Sequence, residues 1–426
     1  MKKKDYKFGP LIKITRRRLG FTQEEICDGI CTSSYLSRIE NCHVIPSEET
    51  CKLILERLNL DYDKFIENLN DLDNKLETIY LKLLSEKEDI KDYDLRIFKN
   101  SYLYLGNNEL YIKSRLINCK YLLSFKKYLE AEEIINQLSV IYNSFSNRNK
   151  FIYLNVAISL YYLTNQTNKA LNLIINNENN FNIQGSDFEI ACFRFNVALI
   201  LCKEYRHLDS IDYCQNALEY FKTIYLPNFS FKCHILLAIA KNNLAQYNLA
   251  RTHFDICFNI LENSEKMNRP EYYNIVYSNL GCCFEREGNL EEAIYNYKLA
   301  LNYKEEGSDY INIIRCTYKK GDLRAAIEYL NNVNNIEEEL PLKLQYQRDI
   351  FSFILLRQLN SKVANSFRDL EEKCLKYFKK NKLYNLLIFY TKLFAEFYKN
   401  NKFYKKSSEL YEYALETSEN IRKGTN

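Results

Sequence analysis

Turn-forming residues are too scarce in this chain for a fold built from short strands. Its 426 residues contain only 10 glycines and 5 prolines, and no Pro/Gly/Ser-rich stretch divides them. Strands need a turn about every 8 to 12 residues, and turns are made largely from glycine and proline. Long segments without these residues favour helices joined by short polar loops. Hydrophobic residues make up 46% of the chain, enough to build a substantial core. The sequence therefore predicts an all-α fold.

The composition indicates neither a membrane span nor a disulfide framework. No segment approaches about 18 consecutive apolar residues, and the N-terminus is charged where a secretory signal would be apolar. The 14 cysteines follow no spacing rule, which is typical of thiols in a reducing compartment. Cys27, Cys31, Cys42 and His43 lie close in sequence, but both Cys27 and Cys31 also fall at helix-packing positions. We therefore expect a cytoplasmic protein with no metal site and no cofactor.

The first 20 residues are strongly basic, although the net charge of the whole chain is only +4. Asp5 is their single acidic residue. The basic residues are Lys2, Lys3, Lys4, Lys7, Lys13, Arg16, Arg17 and Arg18. A basic arm is often only a solvated tail, so nucleic-acid binding needs a second observation.

A pattern of two short helices follows this basic segment. Thr22 and Glu25 have the spacing of a capping box, which predicts the start of the first helix. Gly29 supplies the permissive backbone of the turn, and either Thr32 or Ser33 can cap the second helix. The hydrophobic residues that can share a buried face are Ile26, Ile30, Leu36 and Ile39. Two short helices joined by a tight turn are the geometry with which many proteins read DNA.

The segment from Thr22 to Glu40, continued by Pro46, Ser47 and an apolar helix, resembles the Xre/Cro-type helix-turn-helix over essentially its whole length. In such domains the start of the second helix faces base edges. The resemblance implies that the base readers are Ser33, Ser34, Tyr35 and Arg38, with Gln23 and Ser37 touching phosphate or a base from the side. Arg38 can contact guanine through two hydrogen bonds, and its alternative roles are an ion pair with Glu40 or a phosphate contact.

Beyond Asn70, amphipathic segments of about 12 to 18 residues recur in pairs. The clearest pair matches the tetratricopeptide pattern at Tyr277, Leu280, Gly281, Phe284, Ala293, Tyr297 and Ala300. Gly281 and Ala293 are small because the two helices of a pair cross closely there. The small residue of the second helix recurs at Ala131, Ala170, Ser210, Ala250, Ala326, Ala364 and Ser407, and that of the first helix at Ala198, Ala238 and Ala395. The pattern predicts about eight or nine helix pairs, including a degenerate first pair over residues 76–106.

Stacked pairs of this kind form a right-handed α-solenoid whose first helices line a concave groove, a surface suited to peptides. No phosphate loop, paired-carboxylate site or nucleophile motif stands out, so we do not expect an enzyme. The predicted groove residues are Asn155, Asn196, Lys203, Asn242, Asn279, Arg286, Arg315 and Tyr318. An asparagine amide can bond both the C=O and the N–H of an extended peptide, whatever the peptide's sequence.

A helix-turn-helix fused to a tetratricopeptide array is similar to the Rap/Rgg/NprR/PlcR/PrgX family of peptide-responsive quorum-sensing regulators, with the PlcR/NprR branch closest. The resemblance covers the whole chain. It implies that Asn155 and Asn196 hold a short signalling peptide and that the protein is a homodimer. The phosphatase activity of some relatives is not implied, because its residues are not matched here.

These expectations divide the chain into a DNA-binding domain with a linker helix, residues 1–70, and a repeat domain for peptide sensing and dimerisation, residues 71–426. Two alternatives share this architecture. One is a helical-repeat scaffold or adaptor that tethers a protein partner to DNA, and the other is a prophage lysis-lysogeny peptide receptor. The sequence does not choose among them, nor does it say whether the peptide promotes or releases DNA binding.

Overall fold

The computed structural model describes residues 8–86, 108–177, 185–336, 339–356 and 361–423, with the side chains of 361–366 and 422–423 left aside. Within these ranges the chain forms 21 α-helices, one short 3-10 helix and no strand, so the all-α prediction is confirmed. None of the described helices is both long enough and apolar enough to cross a membrane. The chain divides into two compact units, Met1–Phe193 and Arg194–Asn426, which we describe separately.

The first unit begins with the predicted helix-turn-helix. Its helices are α1 (Gly9–Leu19), α2 (Gln23–Cys27), α3 (Ser33–Glu40), α4 (Glu48–Arg57) and α5 (Tyr62–Leu84). The capping box between Thr22 and Glu25 is formed at the start of α2. The Thr32 side chain caps α3 by accepting a hydrogen bond from the backbone N–H of Tyr35 at 3.2 Å. Gly29, in the turn between the two helices, has a φ of +68°, which favours glycine.

One core holds these helices together. Its fully enclosed side chains come from four helices and include Ile12, Ile26, Leu36, Ile39, Ile54 and Leu55. Helix α1 approaches α3 very closely at Gly9, where an added Cβ would lie 2.0 Å from the carbonyl oxygen of Ile39. Only glycine allows this contact, which fixes the basic helix α1 against the C-terminal end of α3.

Helix α5 continues without a break through residue 70. Its acidic face is bound by two basic side chains from later helices of the first unit. The Lys113 ammonium pairs with Asp73 and Glu77, and Arg148 donates to Glu77 and pairs with Glu189 at 2.7 Å. The domain boundary at residue 70 remains a prediction, because α5 joins the two predicted domains as one helix.

Paired helices make up the rest of the chain. In the first unit they are α6 (Asn108–Ser124), α7 (Tyr128–Ser139), α8 (Asn147–Leu163) and α9 (Thr167–Asn177), and α10 (Asp187–Lys203) crosses into the second. The second unit continues with α11 (His207–Thr223), α12 (Pro227–Asn243), α13 (Tyr247–Glu262), α14 (Pro270–Glu287), α15 (Leu290–Tyr303), α16 (Gly307–Lys320), α17 (Leu323–Asn334), α18 (Leu342–Leu356), α19 (Ser361–Lys380), α20 (Tyr384–Asn400) and α21 (Tyr404–Lys423). The described helices from α6 onward form eight pairs. Of the degenerate first pair, α5 contains Leu76, and residues 87–107 lie outside the described ranges.

The predicted small residues lie buried inside these pairs. All of them with described side chains are buried, and Ala364 falls among the residues whose side chains are not described. The two serines of the series add a hydrogen bond between the helices of their pairs. Ser210 Oγ donates to the carbonyl of Ala198, and Ser407 Oγ to that of Ala395, each at 2.8 Å. The repeat register read from the sequence is therefore confirmed at these positions.

Candidate functional site

The side chains of α3 that are predicted to contact DNA differ in their exposure to solvent. Ser34 and Arg38 are exposed and lie four residues apart, so they share one side of the helix. Ser33, Tyr35 and Ser37 are half-buried, and the Tyr35 ring packs against the domain core. Leu36 and Ile39 are buried core residues, as the spacing predicted. Base reading by this set remains a prediction.

Gln23 and Glu40 belong to a hydrogen-bonded cluster behind that face. The Arg16 guanidinium donates to both oxygens of Glu40, at 2.6 and 3.0 Å, and Gln23 Nε2 donates to the same carboxylate at 2.8 Å. Burial alone would raise the pKa of Glu40, but these hydrogen bonds hold it below its ordinary value. Glu40 therefore pairs with Arg16, and Arg38 faces solvent.

The basic side chains of α1 are divided between the interior of the domain and its surface. Arg16 is buried in the ion pair just described, whereas Arg17 and Arg18 are exposed. Lys13 Nζ donates to Asn41 Oδ1 at 2.8 Å, just past the end of α3. Positive charge from α1 thus lies next to the predicted recognition helix, where it suits contacts to phosphate.

In the first unit, the predicted peptide-binding residue Asn155 on α8 faces the linker helix. Its Nδ2 donates to the hydroxyl of Tyr80 at 3.1 Å, and Asn155 is only 1% exposed. Tyr80, on α5, is fully buried, and its ring lies beneath the Arg148 guanidinium. In this arrangement α5 covers Asn155, so a peptide could reach it only after the surrounding side chains move.

In the second unit, three predicted residues come from consecutive first helices. They are Asn242 on α12, Arg286 on α14 and Arg315 on α16. Asn242 Nδ2 lies 3.9 Å from Cys282 Sγ, one helical turn before Arg286. The Arg286 guanidinium donates to Asn243 Oδ1, the amide next to Asn242. Asn242 and Arg286 therefore both lie where the C-terminal part of α12 meets that of α14.

Arg315 is bound to a buried glutamate that the sequence analysis missed. The Glu285 carboxylate accepts two hydrogen bonds from Arg315 at 2.6 Å, one from Lys319 at 2.7 Å and one from the Tyr297 hydroxyl at 3.0 Å. Burial would raise the pKa of Glu285, but the charges of Arg315 and Lys319 hold it well below its usual range. The available signal was spacing, since Glu285 lies four residues after Gly281 and so faces the same partner helix.

The other predicted groove residues have separate surroundings. Asn196 and Lys203 are half-buried on α10, and burial lowers the pKa of Lys203. Asn279 Nδ2 donates to a carbonyl of its own helix at 2.8 Å. Tyr318 lines a cavity of about 820 Å³, together with Phe389 and Tyr411. A common site for the eight predicted groove residues therefore remains a prediction.

Comparison with known proteins gives similarities for both the helix-turn-helix and the whole chain. Residues 12–65 match the helix-turn-helix family model. Over 417 residues the chain is 25% identical to the transcriptional activator NprA of Geobacillus stearothermophilus, which covers 93% of this chain and 99% of NprA. The fold is similar to that of the apo quorum sensor NprR from B. thuringiensis, with a TM-score of 0.63 at 15% identity over 82% of this chain and 99% of NprR. In sequence the chain is similar to NprA, and in fold it is similar to NprR.

A second solved structure, that of a Rap protein, has a similar fold. A Rap protein complexed with competence and sporulation factor matches with a TM-score of 0.66 at 14% identity, covering 83% of this chain and 99% of that one. At this identity the match shows the fold alone. The predicted combination of a helix-turn-helix with a tetratricopeptide-like array is confirmed.

Proposed function

We propose that this chain is a cytoplasmic, homodimeric quorum-sensing transcription regulator whose DNA binding is controlled by a short peptide bound in its repeat array. The observation that carries the proposal is the joining of two parts in one chain. A helix-turn-helix exposes Ser34 and Arg38 on its second helix, and it is continuous through α5 with a repeat array. NprA, to which this chain is 25% identical, is a transcriptional activator. We assign no catalytic role to the array.

The second part of the proposal is that the repeat array binds a short peptide. NprR has been crystallised in complex with its cognate peptide NprX, and that complex matches this chain with a TM-score of 0.60 at 18% identity, over 81% of this chain and 99% of that one. An extended peptide of five to eight residues spans roughly 17 to 28 Å. A ligand of that length can contact several successive first helices of such an array. Amide side chains such as Asn155 and Asn196 suit its backbone.

A homodimer would bind a two-fold-related DNA site, since each protomer supplies one helix-turn-helix. Lys13, Arg17 and Arg18 would supply phosphate contacts, so the affinity should fall steeply with salt. Each neutralised phosphate contributes a slope of about −0.9 in log K against log salt.

The test is a footprint of the full-length protein on the DNA upstream of its own and adjacent genes. We expect a protected site with two-fold symmetry, whose affinity changes when the peptide encoded by a neighbouring small open reading frame is added. Non-specific binding alone, both with and without candidate peptides, would contradict the proposal.

A further inference from the structure

Several first helices of the second unit end in basic side chains. Lys203 lies in the last turn of α10, Arg286 in that of α14, and Lys319 in that of α16. Cations at these ends are favourable for the helix dipole. Each of the three glutamates next to them in the sequence already pairs with another cation: Glu285 binds Arg315 and Lys319, Glu287 pairs with Arg251, and Glu204 Oε2 pairs with Lys382. Glu204 Oε1 is buried without a hydrogen-bond partner among the described residues. Arg286 therefore lies where the neighbouring carboxylates are occupied.

Arg286 is half-buried, and the side chain that its guanidinium binds, Asn243, is neutral. Its guanidinium donates to the Asn243 amide and makes no ion pair with any carboxylate of the described residues. His207 is buried at the start of α11, near the positive charge of Arg286. Burial is the larger cause and the Arg286 charge the smaller one that together lower the pKa of His207 to about 4. A histidine with that pKa is uncharged at neutral pH. Because a partly desolvated cation is costly without a counter-charge, this position favours an anionic ligand.

A second, independent observation lies one residue from the Asn243 amide. Asn242 is 7% exposed, and its Oδ1 is buried with no hydrogen-bond partner among the described residues. An unsatisfied buried acceptor destabilises the folded chain until a donor reaches it. After a rotation of this side chain, the backbone N–H of an extended ligand could supply that donor. An amide acceptor beside an arginine fits a peptide segment that carries a carboxylate.

A contact between the α10–α11 turn and the α19–α20 turn lies near Arg286. The Tyr205 hydroxyl accepts a hydrogen bond from the backbone N–H of Tyr384 at 3.1 Å and donates to the carbonyl of Lys382 at 3.3 Å. The rings of Tyr205 and Tyr384 lie 5.3 Å apart. Tyr205 is two residues from His207, so this contact between the α10–α11 and α19–α20 turns limits the space near Arg286. A short peptide suits such a bounded site better than the surface of a folded protein.

We infer that Arg286 recognises a carboxylate of the bound peptide, while Asn242 accepts a backbone N–H from the same segment. The inference rests on the proposed function and adds the ligand group that is recognised, which is a carboxylate of the peptide. The carboxylate is either an Asp or Glu side chain or the free C-terminus. Both present the same two oxygens to a guanidinium, which can bind them through two parallel hydrogen bonds.

The experiment uses the full-length protein and two synthetic heptapeptide libraries of equal composition, one with free C-termini and one with C-terminal amides. Peptides retained by the protein are identified by mass spectrometry. We expect the protein to retain no amidated peptide that lacks both Asp and Glu. Acidic side chains enriched in both libraries identify a side-chain group, whereas retention only from the free-acid library identifies the C-terminus.

The variant Arg286→Gln then tests the residue on one retained peptide. We expect at least about a tenfold loss of affinity, because a charge-assisted pair is lost. Arg324→Gln is the matched control, since Arg324 is exposed on α17, and it should bind as wild type does. The affinity of the wild-type protein should also fall with added salt. If Arg286→Gln fails to fold, the salt dependence of the wild-type affinity and the comparison of free-acid with amidated peptides still test whether a carboxylate is bound.

Two different failures can be told apart. Retention of amidated peptides without Asp or Glu, or equal affinity of a folded Arg286→Gln variant, would overturn the carboxylate inference and leave peptide sensing intact. Retention of no peptide by the wild-type protein would contradict the proposed function itself.

Discussion

Arg16 and Arg38 belong to the same small domain but differ in burial, and this difference gives them different roles. Arg16 is 9% exposed and donates to both oxygens of Glu40. A buried charge must be paired, so we interpret this arginine as structural. Arg38, on the exposed face of α3, is available to a ligand. At the scale of single residues, exposure thus selects the candidate readers from a segment rich in basic side chains.

The variant Arg38→Ala should relax base preference at one position in each half-site, at a cost of about 1 to 3 kcal/mol for the preferred base. Lys13→Ala, which removes a cation of α1, should instead weaken binding to all sequences about equally and reduce the salt slope by about 1. Fluorescence anisotropy with single-base variants of the footprinted site measures both effects. Uniform weakening by Arg38→Ala would instead identify a phosphate contact.

At the scale of elements, helix α14 shows how one helix performs three structural tasks along its length. Near its start, Asn274 Nδ2 donates to Asp309 of α16 at 3.0 Å. At its middle, Gly281 leaves room for the Tyr297 ring of α15. At its end, Glu285 gathers the cations of α16. The pairing of first and second helices is therefore set by side chains spaced at intervals along one helix.

The variant Gly281→Ala should destabilise the array by about 1 to 3 kcal/mol through overpacking. An added Cβ would lie 2.8 Å from the Tyr297 ring, which is fully buried and fixed by its hydrogen bond to Glu285. Ile275→Ala, at an exposed position of the same helix, is the control and should change stability little. Urea unfolding followed by circular dichroism compares them. Equal stability of the two variants would show that the helix pair adjusts without cost.

The variant Asp309→Asn should make the stability of the array less dependent on pH. Burial raises the pKa of Asp309 from 3.8 to about 6, although Ser278 and Asn274 donate to its carboxylate. Since the folded-state pKa lies above the unfolded one, the stability that this group contributes is fully present below about pH 4 and is lost as the pH rises through 6. An asparagine keeps both hydrogen bonds by accepting from Asn274 and donating to Ser278.

We therefore expect Asp309→Asn to exceed the wild type in stability at pH 7 by up to about 3 kcal/mol. The advantage should shrink as the pH falls toward 4.5, and unfolding in urea at both pH values measures it. Asp255→Asn, at an exposed position of α13, is the control and should leave the profile of the wild type unchanged. An identical pH profile for Asp309→Asn and wild type would contradict the assignment.

At the scale of the whole molecule, α5 is the physical link between DNA-binding helices and repeats. It follows α4 directly, and Lys113 of α6 and Arg148 of α8 both bind its acidic side chains. Asn155 reaches the same helix through Tyr80. A change in the packing of α8 can thus be transmitted to the helix-turn-helix through α5, which gives the proposed regulation a structural route.

The variants Asn155→Ala and Asn196→Ala should each weaken peptide binding by about 1 to 3 kcal/mol, because a peptide group loses its partner. They should also blunt the effect of the peptide on DNA binding, since a ligand acts only through its differential affinity for two states. Calorimetry with the neighbouring encoded peptide measures this. Tyr80→Phe removes the present partner of Asn155 but keeps the amide, so it should retain peptide binding. If both asparagine variants bind as wild type does, these residues are structural.

The sequence by itself determined the features of this protein that depend on local spacing. Scarce glycine and proline predicted helices, the capping box of Thr22 and Glu25 predicted the start of α2, and small residues such as Ala293 predicted where paired helices cross. Of the two caps that the sequence allowed for the second helix, Thr32 is the one used, so the helix begins at Ser33. These determinants act over one or two helical turns, so they can be read without knowing the remainder of the fold.

Only the tertiary structure decided which polar side chains are already bound inside the protein. Glu40 pairs with Arg16, 24 residues away, and Asn155 with Tyr80, 75 residues away. Arg315 is bound to a glutamate 30 residues earlier. Spacing along a helix shows which face a side chain occupies, but its partner belongs to another helix whose position follows from packing. A hydrogen bond between distant residues forms only after that packing is in place, which is why the candidate sites could be named from the sequence and their available groups could not.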